Sequence, residues 1–142
     1  MFLTTKGRYA VMAMVDLAIN DGGFPQKLSL ISERQGIDIA YLEQIFAKLK
    51  SEGLVKAFKG PGGGYKLAAV PAEVKIFDIM AAVEEQIRMT RCNNKSLNGC
   101  ARNSKRCETH ELWAELEAQI SNFLSSVSLA DVCNGRITKK SA

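Results

Sequence analysis

Ser29-Leu30-Ile31-Ser32-Glu33-Arg34-Gln35-Gly36-Ile37-Asp38-Ile39-Ala40-Tyr41-Leu42-Glu43-Gln44-Ile45-Phe46-Ala47-Lys48-Leu49 is the stretch whose reading decides the fold. Its first part predicts a short helix over 29–35, ended by Gly36, the residue type best able to take a left-handed backbone conformation. Asp38 is a good N-cap for a second run, in which Ile39, Leu42, Ile45, Phe46 and Leu49 form the apolar face and Gly53 closes the helix. Two helices joined by a tight turn at Gly36-Ile37-Asp38 have the layout of a helix-turn-helix unit.

Upstream, Tyr9, Met12, Val15 and Ile19 recur at helical spacing, predicting a helix over 5–20 that stops at Asp21-Gly22-Gly23. Downstream, 54–58 and 65–68 are β-prone and flank Lys59-Gly60-Pro61-Gly62-Gly63-Gly64, which predicts a hairpin with a glycine-rich tip. A hairpin directly after a recognition helix is a wing. Pro71 marks a boundary, and Ile76, Ile79, Met80 and Val83 put one apolar face on a fourth helix. Trp113, Leu116, Ile120, Phe123 and Val127 then recur in steps of three and four along a last helix over 108–127, a heptad seam suited to dimerisation. The tail after Cys133 is polar. The expected fold class is therefore mostly α with a small β-hairpin. A winged helix-turn-helix domain is expected over 1–70, followed over 71–142 by dimerisation helices carrying a cysteine-rich loop at 88–110.

Composition narrows the class. Of 142 residues, 46% are hydrophobic and 24% charged, enough apolar material for a real core. The net charge of +4 suits a partner bearing phosphates without demanding one. Asp16, Asn20 and Asp21 interrupt the first apolar stretch, so it reads as neither a signal peptide nor a membrane span. A cytoplasmic, reducing location is expected. There, four cysteines point to metal binding or redox sensing before a structural disulfide.

Two constellations carry chemistry. On the third helix, Ala40, Tyr41, Glu43, Gln44, Ala47 and Lys48 lie off the apolar face, where a recognition helix meets base edges. Glu43 can accept from a cytosine amino group, and Gln44 can pair both amide atoms with adenine. Lys59 on a tip of Gly60, Pro61 and Gly62 suits a minor groove, which attracts a cation. Thr4, Lys6, Arg8, Lys48, Lys50, Lys56 and Lys66 complete a set able to hold the backbone of double-stranded DNA. A winged helix can also dock proteins, but the order of elements favours DNA. The glycine run lacks the Gly-Lys-Ser/Thr ending of a nucleotide loop and leads into a strand, so it is not read as one.

The second constellation is Cys92, Cys100, Cys107 and His110, spaced Cys-x7-Cys-x6-Cys-x2-His. Three thiolates and an imidazole suit an iron–sulfur cluster or zinc, although the gaps exceed those usual in structural zinc sites. Arg91, Arg102, Lys105 and Arg106 would favour thiolates and offset their negative charge. Unliganded surface thiols are the plainer reading of the spacing. A Cys107/His110 catalytic dyad lacks any visible orienting group, and no enzyme activity is expected. Cys133 stands apart and reads as a packed or free thiol.

Several stretches taken together resemble the IscR family of bacterial iron–sulfur cluster regulators and its winged-helix relatives. They are Leu3-Thr4-Thr5-Lys6-Gly7-Arg8-Tyr9-Ala10, Ile31-Ser32-Glu33-Arg34-Gln35-Gly36-Ile37, Tyr41-Leu42-Glu43-Gln44, Gly60-Pro61-Gly62-Gly63-Gly64-Tyr65, Thr90-Arg91-Cys92 and Cys107-x-Thr109-His110-x-Leu112-Trp113. The resemblance implies a homodimer on a two-fold-related operator. It also implies a 2Fe–2S cluster held by Cys92, Cys100, Cys107 and His110, and control of cluster-assembly genes. DNA readout through Glu43 and the wing around Lys59, Gly60 and Pro61 is implied as well. The family often has arginine where Lys59 stands, a hydroxyl residue where Ala40 stands, and shorter gaps between the cysteines. Relatives that sense nitric oxide or iron share the fold and the cysteines. A structural-zinc, protein-docking module is the reading from another class, with zinc the alternative to the cluster.

Overall fold

Thr4 starts the first helix by accepting a hydrogen bond from the Gly7 amide on its hydroxyl, at 3.4 Å. The computed structural model describes residues 4–83 and 107–137. Their order is α1 (Thr5–Ile19), α2 (Leu28–Gln35), α3 (Ile39–Ser51), β1 (Val55–Phe58), β2 (Gly64–Leu67), a 3-10 turn at Pro71–Glu73, α4 (Ile76–Ala82), α5 (His110–Ser126) and α6 (Leu129–Cys133). This is the expected winged helix, mostly α with one antiparallel hairpin.

α1 lies at the centre, touched by α2, α3, α4 and α6. That position explains a difference from the sequence pattern. The residues it buries are Gly7, Ala10, Ala13, Met14, Asp16 and Leu17, whereas Tyr9, Met12 and Val15 are half-buried and Ile19 is 64% exposed. Small side chains let neighbouring helices approach, so the closest-packed stripe need not carry the largest residues.

The tight turn between α2 and α3 forms as the sequence indicates. Gly36 takes φ 67°, a left-handed conformation that strains other residues. Asp38 caps α3 by accepting from the amides of Ala40 at 2.8 Å and Tyr41 at 3.3 Å. Such a cap contributes about 1 kcal/mol. Leu42, Ile45, Phe46 and Leu49 are fully buried, but Ile39 is not: it is 43% exposed.

The wing pairs Val55 with Leu67 through Phe58 with Gly64. At its tip the Gly63 amide donates to the Gly60 carbonyl at 2.9 Å, a turn whose second residue is Pro61. The hairpin also gains a third edge. Gln26 and Tyr65 exchange two backbone hydrogen bonds of 2.8 Å, which ties the segment between α1 and α2 to the wing. Gly64 allows this, because a Cβ there would collide with the Gln26 carbonyl.

The end of the chain corrects the expected last helix. α5 stops at Ser126, and Val127 is extended and 3% exposed. The Val127 carbonyl accepts from the Ile76 amide at 3.0 Å, and the Leu129 amide donates to Val74 at 2.7 Å. Ser128 and Asp131 then form a reciprocal capping box that starts α6. Val127 and Leu129 thereby join one core cluster with Ala10, Phe46 and Ile79. The core runs across residue 70, where a domain boundary was expected.

Candidate nucleic-acid interface and metal-ligating turn

One ion pair between a buried carboxylate and a partly exposed guanidinium fixes α2 against α1. Asp16 is 3% exposed, and Arg34 grips its carboxylate with Nη2 at 2.6 Å and Nε at 3.0 Å. The Gln35 amide adds a third donor at 2.8 Å. Burial works to raise the Asp16 carboxyl, but these donors and the guanidinium charge outweigh it and hold the group below its ordinary 3.8. Arg34 also reaches the Gln26 side-chain oxygen at 3.4 Å, on the segment that pairs with the wing. Sequence reading took Asp16 only as an interruption. A lone acid inside an apolar helical run is the signal that was available.

The recognition surface follows from that frame. Ala40, Glu43, Gln44 and Ala47 are exposed on α3, while Tyr41 and Lys48 are half-buried. Tyr41 meets Tyr9 edge-on, with ring centroids 5.8 Å apart. A groove of about 540 Å³ runs between the starts of α1 and α3, lined by Thr5, Tyr9, Asp38, Ala40, Tyr41 and Gln44. Thr4 and Arg8 are exposed at this end of α1, and Lys6 is half-buried. Lys59, Gly60, Pro61 and Gly62 are exposed at the wing tip, with Lys56 on β1 and Lys50 on α3. Lys66 is half-buried and donates to the Gly23 carbonyl at 3.2 Å, tying the wing to the loop before α2. Phe46 stacks at 4.9 Å against Tyr65 and so joins α3 to the wing.

At the other end of the chain, Cys107 and His110 are half-buried on one turn, where the His110 amide donates to the Cys107 carbonyl at 3.0 Å. Thr109, part of the motif around Cys107 and His110, carries no role in the sequence reading. Its hydroxyl lies 3.5 Å from the Cys107 thiol and accepts from the Trp113 indole at 3.2 Å. A thiol and an imidazole on a single turn fit a pair of ligands to one soft or borderline metal centre. Cys92 and Cys100 lie outside the described residues, as do Arg91, Lys95, Arg102, Lys105 and Arg106. Among the described residues no group of three or more possible ligands comes together. Burial pushes the Cys133 thiol above its ordinary value, and the residue packs on the core.

Along α5, Trp113 and Ile120 are half-buried, Leu116 and Phe123 exposed, and no residue is fully buried. Among the described helices, none is long and apolar enough to cross a membrane.

A helix-turn-helix with a wing and an exposed recognition face defines the class: a transcription regulator that binds DNA. Comparison with known proteins narrows it. The Rrf2 family, described as iron-dependent transcriptional regulators, matches residues 3–135, and the chain belongs to this family. It is 47% identical over 132 residues to the HTH-type transcriptional regulator IscR of Aliivibrio salmonicida, covering 93% of this chain and 77% of that protein. The structure of T. potens IscR is similar at a TM-score of 0.75 and 35% identity, covering 96% of this chain and 88% of the other. CymR, the global cysteine regulator of B. subtilis, superposes at a TM-score of 0.78 and 28% identity, covering 94% of this chain and 97% of its own. Members of the family are transcription regulators and not enzymes.

Proposed function

We propose that this chain is a cytoplasmic homodimeric regulator that binds a two-fold-related DNA operator, carries a 2Fe–2S cluster, and governs genes of iron–sulfur cluster assembly. The observation that carries the reading is the pairing of Cys107 and His110 on the turn that opens α5, in a chain of the Rrf2 family. Cys92, Cys100, Cys107 and His110 would hold the cluster. When bound, it supplies a centre whose presence and oxidation state report on iron and sulfur supply. Thr109 contributes a hydroxyl beside one thiolate, the kind of outer contact that orients a ligand and tunes its charge.

On the DNA side, α3 offers Glu43 and Gln44 to base edges, and Lys59 with Gly60, Pro61 and Gly62 offers a narrow cationic tip. Ala40 and Tyr41 line the groove between the starts of α1 and α3, Thr4, Lys6 and Arg8 lie at the same end of α1, and Lys48 lies in the last turn of α3. Dimerisation is assigned to α5 through Trp113, Leu116, Ile120 and Phe123. Support comes from a helix of 17 residues that buries none of them within its own chain. Val127 belongs to the core of its own subunit and is no longer assigned to this interface.

Purification without air, followed by a visible spectrum and assays of iron and acid-labile sulfide, tests the cofactor. Brown protein with equal iron and sulfide is the expected result. Colourless protein loaded with zinc would favour a structural metal. Iron without sulfide would favour direct iron sensing.

A further inference from the structure

Ile39 stands out among the large aliphatic residues of α3. Leu42, Ile45 and Leu49 are fully buried with Phe46, whereas Ile39 remains 43% exposed. Its position explains why. At about 100° per residue, Ile39 lies on the border of the buried face, about 20° from Phe46 on one side and about 20° from exposed Lys50 and about 40° from exposed Glu43 on the other. In the first turn of α3 it stands at the edge of the core, and its side chain stays partly open to solvent. Ile37 and Leu42, both buried, already provide the apolar clasp across the helix start. The Asp38 cap holds this first turn in place, so the side chain is presented on a rigid element.

We propose that Ile39 is a specificity-determining residue that reads a thymine methyl group in the major groove, one turn N-terminal to Glu43. This rests on the reading of α3 as the groove-entering helix. The first turn of such a helix is where side chains reach base edges. Of the groups displayed in the major groove, the C5 methyl of thymine is the apolar one, and an aliphatic side chain recognises it by excluding water. Glu43 and Gln44 select by hydrogen bonds, which leaves the methyl-bearing position to a neighbour without polar atoms. Ile39 meets that requirement, with the Ala40 methyl group next to it.

The test is a selection from random duplexes by the full chain, followed by binding to the selected duplex carrying thymine or uracil at each half-site position. Uracil differs from thymine by the methyl group alone. The native protein should lose about fourfold in affinity at one position when the methyl is removed. Ile39→Ala should bind the two duplexes equally there while keeping its selectivity at the position assigned to Glu43. Ile39→Val, which retains a branched side chain, should keep part of the difference. An equal loss with uracil in native protein and in Ile39→Ala would overturn the proposal, as would native protein indifferent to the methyl. Failure to select any sequence would instead overturn the groove-reading role of α3, and this inference with it.

Discussion

Asp16 shows how much a single carboxylate governs. With Arg34 removed, the Asp16 carboxylate would keep the Gln35 donor but lose its cation, and since Arg34 is itself partly solvated the loss is about 1–2 kcal/mol, less than for a fully buried pair. Arg34→Ala should therefore lower the thermal midpoint markedly, and a melting curve matching the native one would contradict the assignment. Because folding depresses the Asp16 carboxyl, its contribution is present above 3.8 and is lost as pH falls below that value. The stability gap between native protein and Asp16→Asn should accordingly narrow in acid. At Gly64 the constraint is steric. Its φ of 147° and the approach of Gln26 leave no room for a methyl group. Gly64→Ala should cost more than about 1 kcal/mol and loosen the wing, as read by amide exchange at Gln26 and Tyr65. Glu43→Ala should relax selectivity at one base position. A uniform loss on every sequence would assign Glu43 a structural role instead.

Elements differ in how openly their sequence declares them. α2, α3 and the hairpin were legible because each carries its own signal: a helix-ending glycine, a capping aspartate, and β-prone runs around a glycine-rich tip. The face of α1 reads too narrowly from periodicity, because a central helix packed on several sides buries Ala10, Ala13, Met14 and Leu17 as well as holding Tyr9, Met12 and Val15 against the core. The break at Val127 was missed for another reason. The heptad seam continues in register to that residue, and only the Ser128/Asp131 pair marks the new start. Ile39 reads as core because it is aliphatic and in register with Phe46, yet in the first turn of α3 it stands at the edge of the core and stays 43% exposed. Of the candidate metal site, the residue types and spacing were readable, but the Thr109 link between Cys107 and Trp113 depends on the turn geometry. α5 yields its own prediction. Leu116→Asp with Phe123→Asp should give a folded monomer, because neither side chain is buried within the chain. Light scattering that still reports a dimer would move the interface elsewhere.

At the scale of the molecule, one core joins α1, α2 and α3 to α4 and to the end of α5 through Ile79, Val83, Leu124, Val127 and Leu129. α4 packs on α1 and on α5, so α5 as a helix has a packed route to the helix-turn-helix unit. If the proposed cluster is present, such a route would let its loading alter how α3 and the wing address DNA. The net charge of +4 adds a salt-dependent attraction to any duplex, which makes selectivity and not bare affinity the informative quantity. The most direct test is therefore a side-by-side selection of DNA sequences at fixed salt. It compares protein purified without air against the same protein after iron and sulfide have been stripped. The account predicts that the two forms differ in preferred sequence or in the ratio of specific to non-specific binding, and that His110→Ala behaves as the stripped form. Identical preferences and ratios in all three would contradict it.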